Sequence, residues 1–141
     1  MLEILEQKNP GNYQEILKKI KIMIAENSEI PGLEYAEIHI SEAIENQNVK
    51  GWIFYAYQPE QVIIYEVSDG GDWNQCDGLV RSVLFKAQLR GINQAWFLEE
   101  NSAMIQRLAK LGFMKNNQKK LDNIMNVMEN CKKCKENPAN T

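Results

Sequence analysis

The sequence is poor in the residues that build metal sites, disulfide frameworks and membrane spans. Its 141 residues include one histidine, three cysteines and four prolines. Cys131 and Cys134 lie close together and Cys76 is distant, so we expect reduced thiols and no disulfide framework. No apolar run approaches the roughly 20 residues that cross a bilayer. The first six residues also lack the basic and apolar regions of a signal peptide, and we therefore expect a cytoplasmic protein.

An excess of positive charge is also lacking. The chain has 19 acidic and 16 basic residues and a formal net charge of -3, which argues against a nucleic acid as partner. The lack of a long apolar run argues against a membrane as partner. Hydrophobic residues make up 44% and charged residues 25%, as in an average globular chain. This length suits one core. We predict a single domain over residues 1–128 and a polar tail over 129–141.

The first half of the chain carries one helical and two strand patterns. Apolar residues at three- and four-residue spacing predict an amphipathic helix over 12–27. Residues 35–40 fit a helix face and a strand equally well. The β-branched and aromatic segments 49–57 and 61–67 predict two strands, and the short connection 58–60 predicts an antiparallel hairpin.

The second half alternates helices and strands. A helix is predicted from about 77 to 90 with Gly91 as its C-terminal stop, followed by a buried strand over 92–98. Asn101 then has the position of an N-cap, and Gly112 suits the end of the helix that Asn101 begins. This order predicts neighbouring parallel strands. A last helix is predicted from four apolar residues: Leu121, Ile124, Met125 and Met128.

The run from Gln61 to Phe113, just over a third of the chain, resembles the central part of the GNAT acyl-CoA N-acyltransferase family. Its most specific part begins at Asn101 and closes twelve residues later with Leu111-Gly112-Phe113, as the family often does. The resemblance implies an α/β fold with a mixed, mostly antiparallel sheet and helices on both faces. It also implies acetyl-CoA as co-substrate, a small-molecule or peptide amine as acceptor, and a possible homodimer.

The family holds the pyrophosphate of coenzyme A with a loop that reads Arg or Gln, two residues, Gly, one residue, then Gly or Ala. Its three defined positions fall in one register on Gln75, Gly78 and Val80, and in another on Gly71, Asn74 and Cys76. Backbone N–H groups at a helix N-terminus bind such an anion without any particular side chain. Three carboxylates in this segment oppose the anion: Asp69, Asp72 and Asp77. The resemblance implies seven cofactor contacts: Val67, Gly71, Gln75, Cys76, Gly78, Leu79 and Asn101.

The resemblance also locates the catalytic positions. In many family members a tyrosine protonates the departing thiolate, and it stands seven residues after the asparagine. The corresponding residue here is Leu108, and no tyrosine follows Tyr65. We predict Glu66, on the strand beside the expected thioester, as the base that accepts the amine proton. Positioning and backbone N–H groups would supply the acceleration. The alternative is a non-catalytic GNAT-like module that binds an acyl-CoA, another small anion or, through an exposed strand edge, a protein partner.

The remaining candidate residues have simpler interpretations. His39 is the only histidine, so we interpret it as structural, and no metal site is predicted. Cys131 and Cys134 have the spacing of half a zinc site or a redox pair but lack further ligands, so we interpret them as solvated thiols. Cys76 is interpreted as a small packing residue of the loop. Trp73 fits either a cover over the ligand pocket or packing on the surface.

Overall fold

The computed structural model describes residues 2–115 and 118–129. They form one six-stranded sheet whose spatial order follows the chain. Its strands are β1 (Glu3–Gln7), β2 (His39–Glu45), β3 (Asn48–Tyr57), β4 (Val62–Ser68), β5 (Ala95–Phe97) and β6 (Lys120–Leu121). The helices are α1 (Gln14–Glu26), α2 (Trp73–Leu89), α3 (Ser102–Lys110) and α4 (Ile124–Glu129), with short 3-10 turns at Pro10–Tyr13 and Leu33–Tyr35.

The sheet is mixed and mostly antiparallel, as expected. Neighbouring strands pair antiparallel throughout, except that β4 and β5 run parallel, with α2 as the connection between them. Parallel strands require a crossover connection of about a dozen residues or more, which is usually a helix. The predicted hairpin of β3 and β4 and the predicted parallel neighbours are confirmed.

Helices cover both faces of the sheet, which confirms the predicted fold class. Because successive strand residues point to opposite faces, Phe54 of β3 packs into a core with α1, whereas Tyr55 packs into a core with α2, α3 and α4. Both side chains are fully buried. Tyr13 at the start of α1 packs edge-on against Phe54, with ring centroids 5.3 Å apart.

A β-bulge in β4 changes the direction of one important side chain. Phe54 pairs with Glu66 and Tyr55 pairs with Ile64, so Tyr65 has no partner on β3. In a regular strand Glu66 would share the face of Ile64, but the extra residue turns it to the opposite face. Tyr65 packs in the core beside α1, and Glu66 forms an ion pair with Lys19 of α1. The bulge therefore directs two consecutive side chains toward α1.

The predicted helix ends are confirmed by their hydrogen bonds. Gly91 follows α2 with a φ of 78°, and the Ile92 N–H returns to the Ala87 carbonyl at 2.9 Å. This is the left-handed closure that favours glycine. Asn101 precedes α3, and its Oδ1 accepts from the Met104 N–H at 3.0 Å.

Other boundaries differ from the sequence prediction. Helix α2 begins at Trp73, four residues earlier than expected, because Asp72 caps it. The ambiguous segment 35–40 resolves into the end of a 3-10 turn and the first residues of β2. The last predicted helix is divided into β6 and α4. The strand β1 was not predicted, since its exposed edge gives a weak pattern. Cys131, Cys134 and the rest of the predicted tail beyond residue 129 lie outside the described residues.

Candidate functional site

The candidate site is the place where β4 and β5 stop pairing. Their ladder ends with Ile64 opposite Phe97, followed by a hydrogen bond from the Leu98 N–H to the Ile64 carbonyl at 2.8 Å. Strand β4 continues for four residues without β5, and Glu66 and Val67 lie in this unpaired part. In this opening the Val67 N–H donates instead to Oε1 of Glu99 at 3.0 Å.

Glu99 fills the opening with a buried carboxylate. The residue is 1% exposed, and its Oε2 accepts from the N–H groups of Glu100 at 3.2 Å and Asn101 at 3.3 Å. Burial raises the pKa of Glu99 above its ordinary value, and the hydrogen bonds from Val67, Asn101 and Glu100 partly oppose that rise. One side chain therefore satisfies three backbone donors, including the Val67 donor that was predicted to contact the cofactor.

Glu66, the predicted base, lies on the α1 side of the sheet. Its Oε1 is 2.5 Å from Nζ of Lys19, and its Oε2 is buried without a hydrogen-bond partner. The hydrogen bond to Glu66 raises the pKa of Lys19, and the negative charges of Glu66, Glu99 and Glu100 add to the effect. Glu66 is therefore an ion-paired carboxylate with one buried oxygen that has no hydrogen-bond partner.

The backbone donors at the start of α2 are also bound within the chain. Oδ1 of Asp72 accepts from the N–H groups of Asn74 at 2.9 Å and Gln75 at 3.3 Å. The Gly71 N–H donates to Oδ1 of Asp69 at 2.9 Å. These are the donors that the sequence predicted for pyrophosphate, and two carboxylates of the chain already hold them.

Four of the predicted cofactor contacts, Gln75, Cys76, Gly78 and Leu79, lie in helix α2. The expected placement of the first three in a loop is therefore wrong. Cys76 and Leu79 are fully buried, and Gly78 belongs to the second turn of the helix. A Cβ added to Gly78 would lie 3.4 Å from Cδ1 of Ile4, so this glycine packs against β1. Sγ of Cys76 lies 3.8 Å from Sδ of Met104, and burial raises the pKa of the thiol to about 12.

Gln75 also acts as a structural residue. Its Nε2 donates to the carbonyls of Lys50 and Asp69, both at 2.7 Å, which ties β3 to the segment before α2. The backbone of β3 at Gly51 lies so close to the end of β4 that a Cβ added to this glycine would be 2.4 Å from the Ser68 carbonyl oxygen. The segment between β4 and α2 is therefore packed directly onto β3.

Trp73 contacts α3. Its ring lies 5.3 Å from the guanidinium of Arg107 and 5.9 Å from Nζ of Lys110, and the residue is 43% exposed. Arg107 in turn forms an ion pair with the buried carboxylate of Asp69. Of the two interpretations of Trp73, this arrangement favours packing on the surface.

Sequence reasoning missed Glu99 and Arg107. The available signal for Glu99 was a charged residue directly after a buried strand. Arg107 carries no such signal, because it lies on an amphipathic helix where basic residues are common. Its ion pair with Asp69 depends on the packing of α3 against the segment before α2.

The remaining candidate contacts residues of β1 and β3. His39 has its Nδ1 3.2 Å from Oε1 of Glu6 and its ring stacked 5.5 Å from that of Tyr55, which supports the structural interpretation. Within residues 2–115 and 118–129, no three His, Cys, Asp or Glu side chains are grouped to hold a metal ion. In the same ranges, no helix has the length and apolarity to cross a membrane.

No protein-family model matches the chain, and no curated protein matches it in sequence. Among solved structures, it is similar to a ribosomal-protein-alanine N-acetyltransferase from Brucella melitensis biovar Abortus 2308, with TM-score 0.48 and 13% identity over 77% of this chain and 88% of that one. A proposed acetyltransferase from Staphylococcus aureus Mu50 has TM-score 0.48 and 16% identity over 77% and 89%.

A proposed GNAT-family acetyltransferase from Desulfovibrio desulfuricans has TM-score 0.48 and 13% identity over 69% of this chain and 72% of that one. These similarities are weak. The mixed, mostly antiparallel sheet and the helices on both faces are the features of the fold that the GNAT resemblance implies.

Proposed function

We propose that this chain is a non-catalytic module with a GNAT-like fold, which acts by binding a protein partner. One observation carries the proposal: the backbone donors that a GNAT enzyme would present to acyl-CoA are bound to carboxylates of this chain. The pairs are Val67 with Glu99, Gly71 with Asp69, and both Asn74 and Gln75 with Asp72.

The energetic cost of exposing these donors supports the proposal. A hydrogen bond to a charged group contributes about 1.5–3 kcal/mol, and an acyl-CoA would have to displace several of them. Its pyrophosphate would then lie beside the negative charge of Asp72, which repels it, whereas the charge of Asp69 is paired with Arg107. Micromolar affinity corresponds to only about 8 kcal/mol. The displaced bonds would offset a large part of that binding energy.

A second candidate is the transfer of an acetyl group from acetyl-CoA to an amine acceptor. The observation in its favour is that the Val67 N–H points into the opening beside β5, while the preceding residue, Glu66, has an unpartnered carboxylate oxygen. If the side chain of Glu99 moved out, Val67 would polarise the thioester carbonyl and Glu66 would accept the amine proton. No residue is assigned as the general acid that protonates the departing thiolate, because the position of the family's tyrosine is occupied here by the buried Leu108.

Calorimetric titration with acetyl-CoA and with coenzyme A, at moderate salt, separates the two candidates. If the chain is a non-catalytic module, neither acetyl-CoA nor coenzyme A should give a heat of binding at millimolar concentration. Binding at micromolar strength would overturn the proposal and favour the acetyltransferase. In that case Glu66→Gln should lower the rate of amine acetylation while leaving the affinity for acetyl-CoA unchanged. The acceptor and the cytoplasmic location stay predictions.

A further inference from the structure

Strand β1 forms one edge of the sheet. It is first in the strand order and pairs with β2 alone among the described residues. Two of its neighbouring apolar side chains are poorly covered, since Leu2 is 41% exposed and Leu5 is 50% exposed. An edge strand presents unpaired N–H and C=O groups that can pair with another strand. This edge is therefore available for strand addition.

The sequence of β1 suits pairing with a second copy of itself. Residues opposite each other in a ladder point to the same face. A two-fold axis normal to the sheet must therefore lie midway between the two copies of one residue, which then face each other; below, the axis is named by that residue. With the axis at Leu5, Glu3 lies opposite Gln7 of the second copy and Ile4 lies opposite Glu6. All five residues of β1 are then paired, and no two glutamates oppose each other.

Other axes are less favourable. An axis through Glu3 or Glu6 would place two carboxylates directly opposite each other, which destabilises a strand pair. An axis at Ile4 avoids that repulsion but leaves Glu6 and Gln7 without partners in the strand, and an axis at Gln7 leaves residues 3–6 without partners in the strand. Charge and overlap together therefore select Leu5.

Apolar side chains flank this edge on both faces of the sheet. Leu5 shares the α1 face with Gln7, whose side chain binds Glu42 beneath Tyr13. On the other face, Phe85 and Leu89 of α2 are 53% and 72% exposed. They follow Gly78 by seven and eleven residues, so they lie on the side of α2 that packs on Ile4 of β1.

The α2 surface is needed for a stable interface. Specific interfaces bury about 1,200–2,000 Å² in total, which is more than two five-residue strands supply by themselves. A two-fold axis normal to the sheet keeps both copies of α2 on the same face, where Phe85 and Leu89 extend the contact.

We infer that the chain forms a two-fold dimer in which β1 pairs antiparallel with β1 of a second copy, with Leu5 on the axis. The sheet is then continuous across the dimer, and Phe85 and Leu89 contribute the adjoining helix surface. The inference names a partner for the proposed module, but its geometry does not involve the opening at Glu99. Dimer formation and acyl-CoA binding can therefore fail independently.

Light scattering after gel filtration, at a series of micromolar concentrations, tests the dimer. Wild type should show a mass of twice 16.3 kDa. Leu5→Lys places two charges at the axis and should give monomers, whereas Leu5→Val keeps an apolar strand former and should stay dimeric. Ile22→Lys is the matched control, because Ile22 is 61% exposed on α1, away from this edge. Circular dichroism checks that each variant is folded.

A measurement without substitutions completes the test. Hydrogen exchange at residues 3–7 should slow as the concentration of wild type rises, because pairing protects the edge amides. A wild type that is monomeric throughout overturns the inference and leaves the edge to a strand of a different protein. A dimer that persists in Leu5→Lys, or exchange at 3–7 that is independent of concentration, also overturns it.

Discussion

The backbone N–H of Val67 donates to the buried carboxylate of Glu99 at 3.0 Å, across the opening between β4 and β5. The two residues are 32 positions apart in the chain. The contact uses the Val67 donor that the GNAT resemblance assigns to a ligand, and it holds a charged group in an almost solvent-free position. The ionisation of Glu99 should therefore influence the stability of the whole fold.

Glu99→Gln should flatten the dependence of stability on pH. Burial holds the pKa of Glu99 above its ordinary 4.5, so the folded state binds more protons than the unfolded state between those two pKa values. Stability then falls as the pH rises through this window, and glutamine removes that contribution. Urea denaturation from just above pH 4.5 to neutral pH measures the slope. Glu100→Gln, at the exposed neighbouring position, is the control and should keep the wild-type slope.

Asp72→Ala should destabilise the protein by about 1 kcal/mol, within the range of about 0.5–2 kcal/mol found for lost N-caps. The substitution removes the carboxylate that binds the N–H groups of Asn74 and Gln75. Asp72→Asn retains a capping oxygen and should lose only a small part of the stability. Guanidinium denaturation compares the three proteins. Equal midpoints for the alanine variant and wild type would show that the cap does not hold the start of α2.

The thiol of Cys76 should be unreactive while the protein is folded. Cys76 is fully buried, and burial raises the pKa of its thiol to about 12. The reactive thiolate is therefore scarce near neutral pH. In a Cys131→Ser, Cys134→Ser background, a disulfide reagent such as DTNB should label no thiol in the native protein and one after unfolding. Rapid labelling of the native protein would contradict the burial of Cys76 in α2 and would favour an open loop.

Local signals in the sequence were sufficient for several elements. The β-branched and aromatic content of β3 and β4, with their short connection, predicted their hairpin, Gly91 predicted the end of α2, and Asn101 predicted the start of α3. Each prediction depends on side chains within a few residues of one another, through capping or periodicity. The same local reasoning placed the start of α2 four residues late, because it did not identify Asp72 as the cap.

The candidate site was predicted less completely. Glu66 was chosen because it lies on the strand beside the expected thioester, but a bulge at Tyr65 sets the face to which it points. Cys76 and Gly78 were assigned to a loop and instead pack inside α2. A one-residue change of register reverses a side chain, and a sequence pattern does not reveal where it occurs.

The sequence by itself determined most of the helices and strands, since helix caps, helical periodicity and β-branched segments act over short distances along the chain, and its resemblance to the GNAT family implied the class of fold. Only the tertiary structure decided the state of the site. The contacts of Val67 with Glu99, Lys19 with Glu66 and Asp69 with Arg107 join residues from 32 to 47 positions apart. Such contacts form only when separate elements pack together, so no local pattern of residues specifies them.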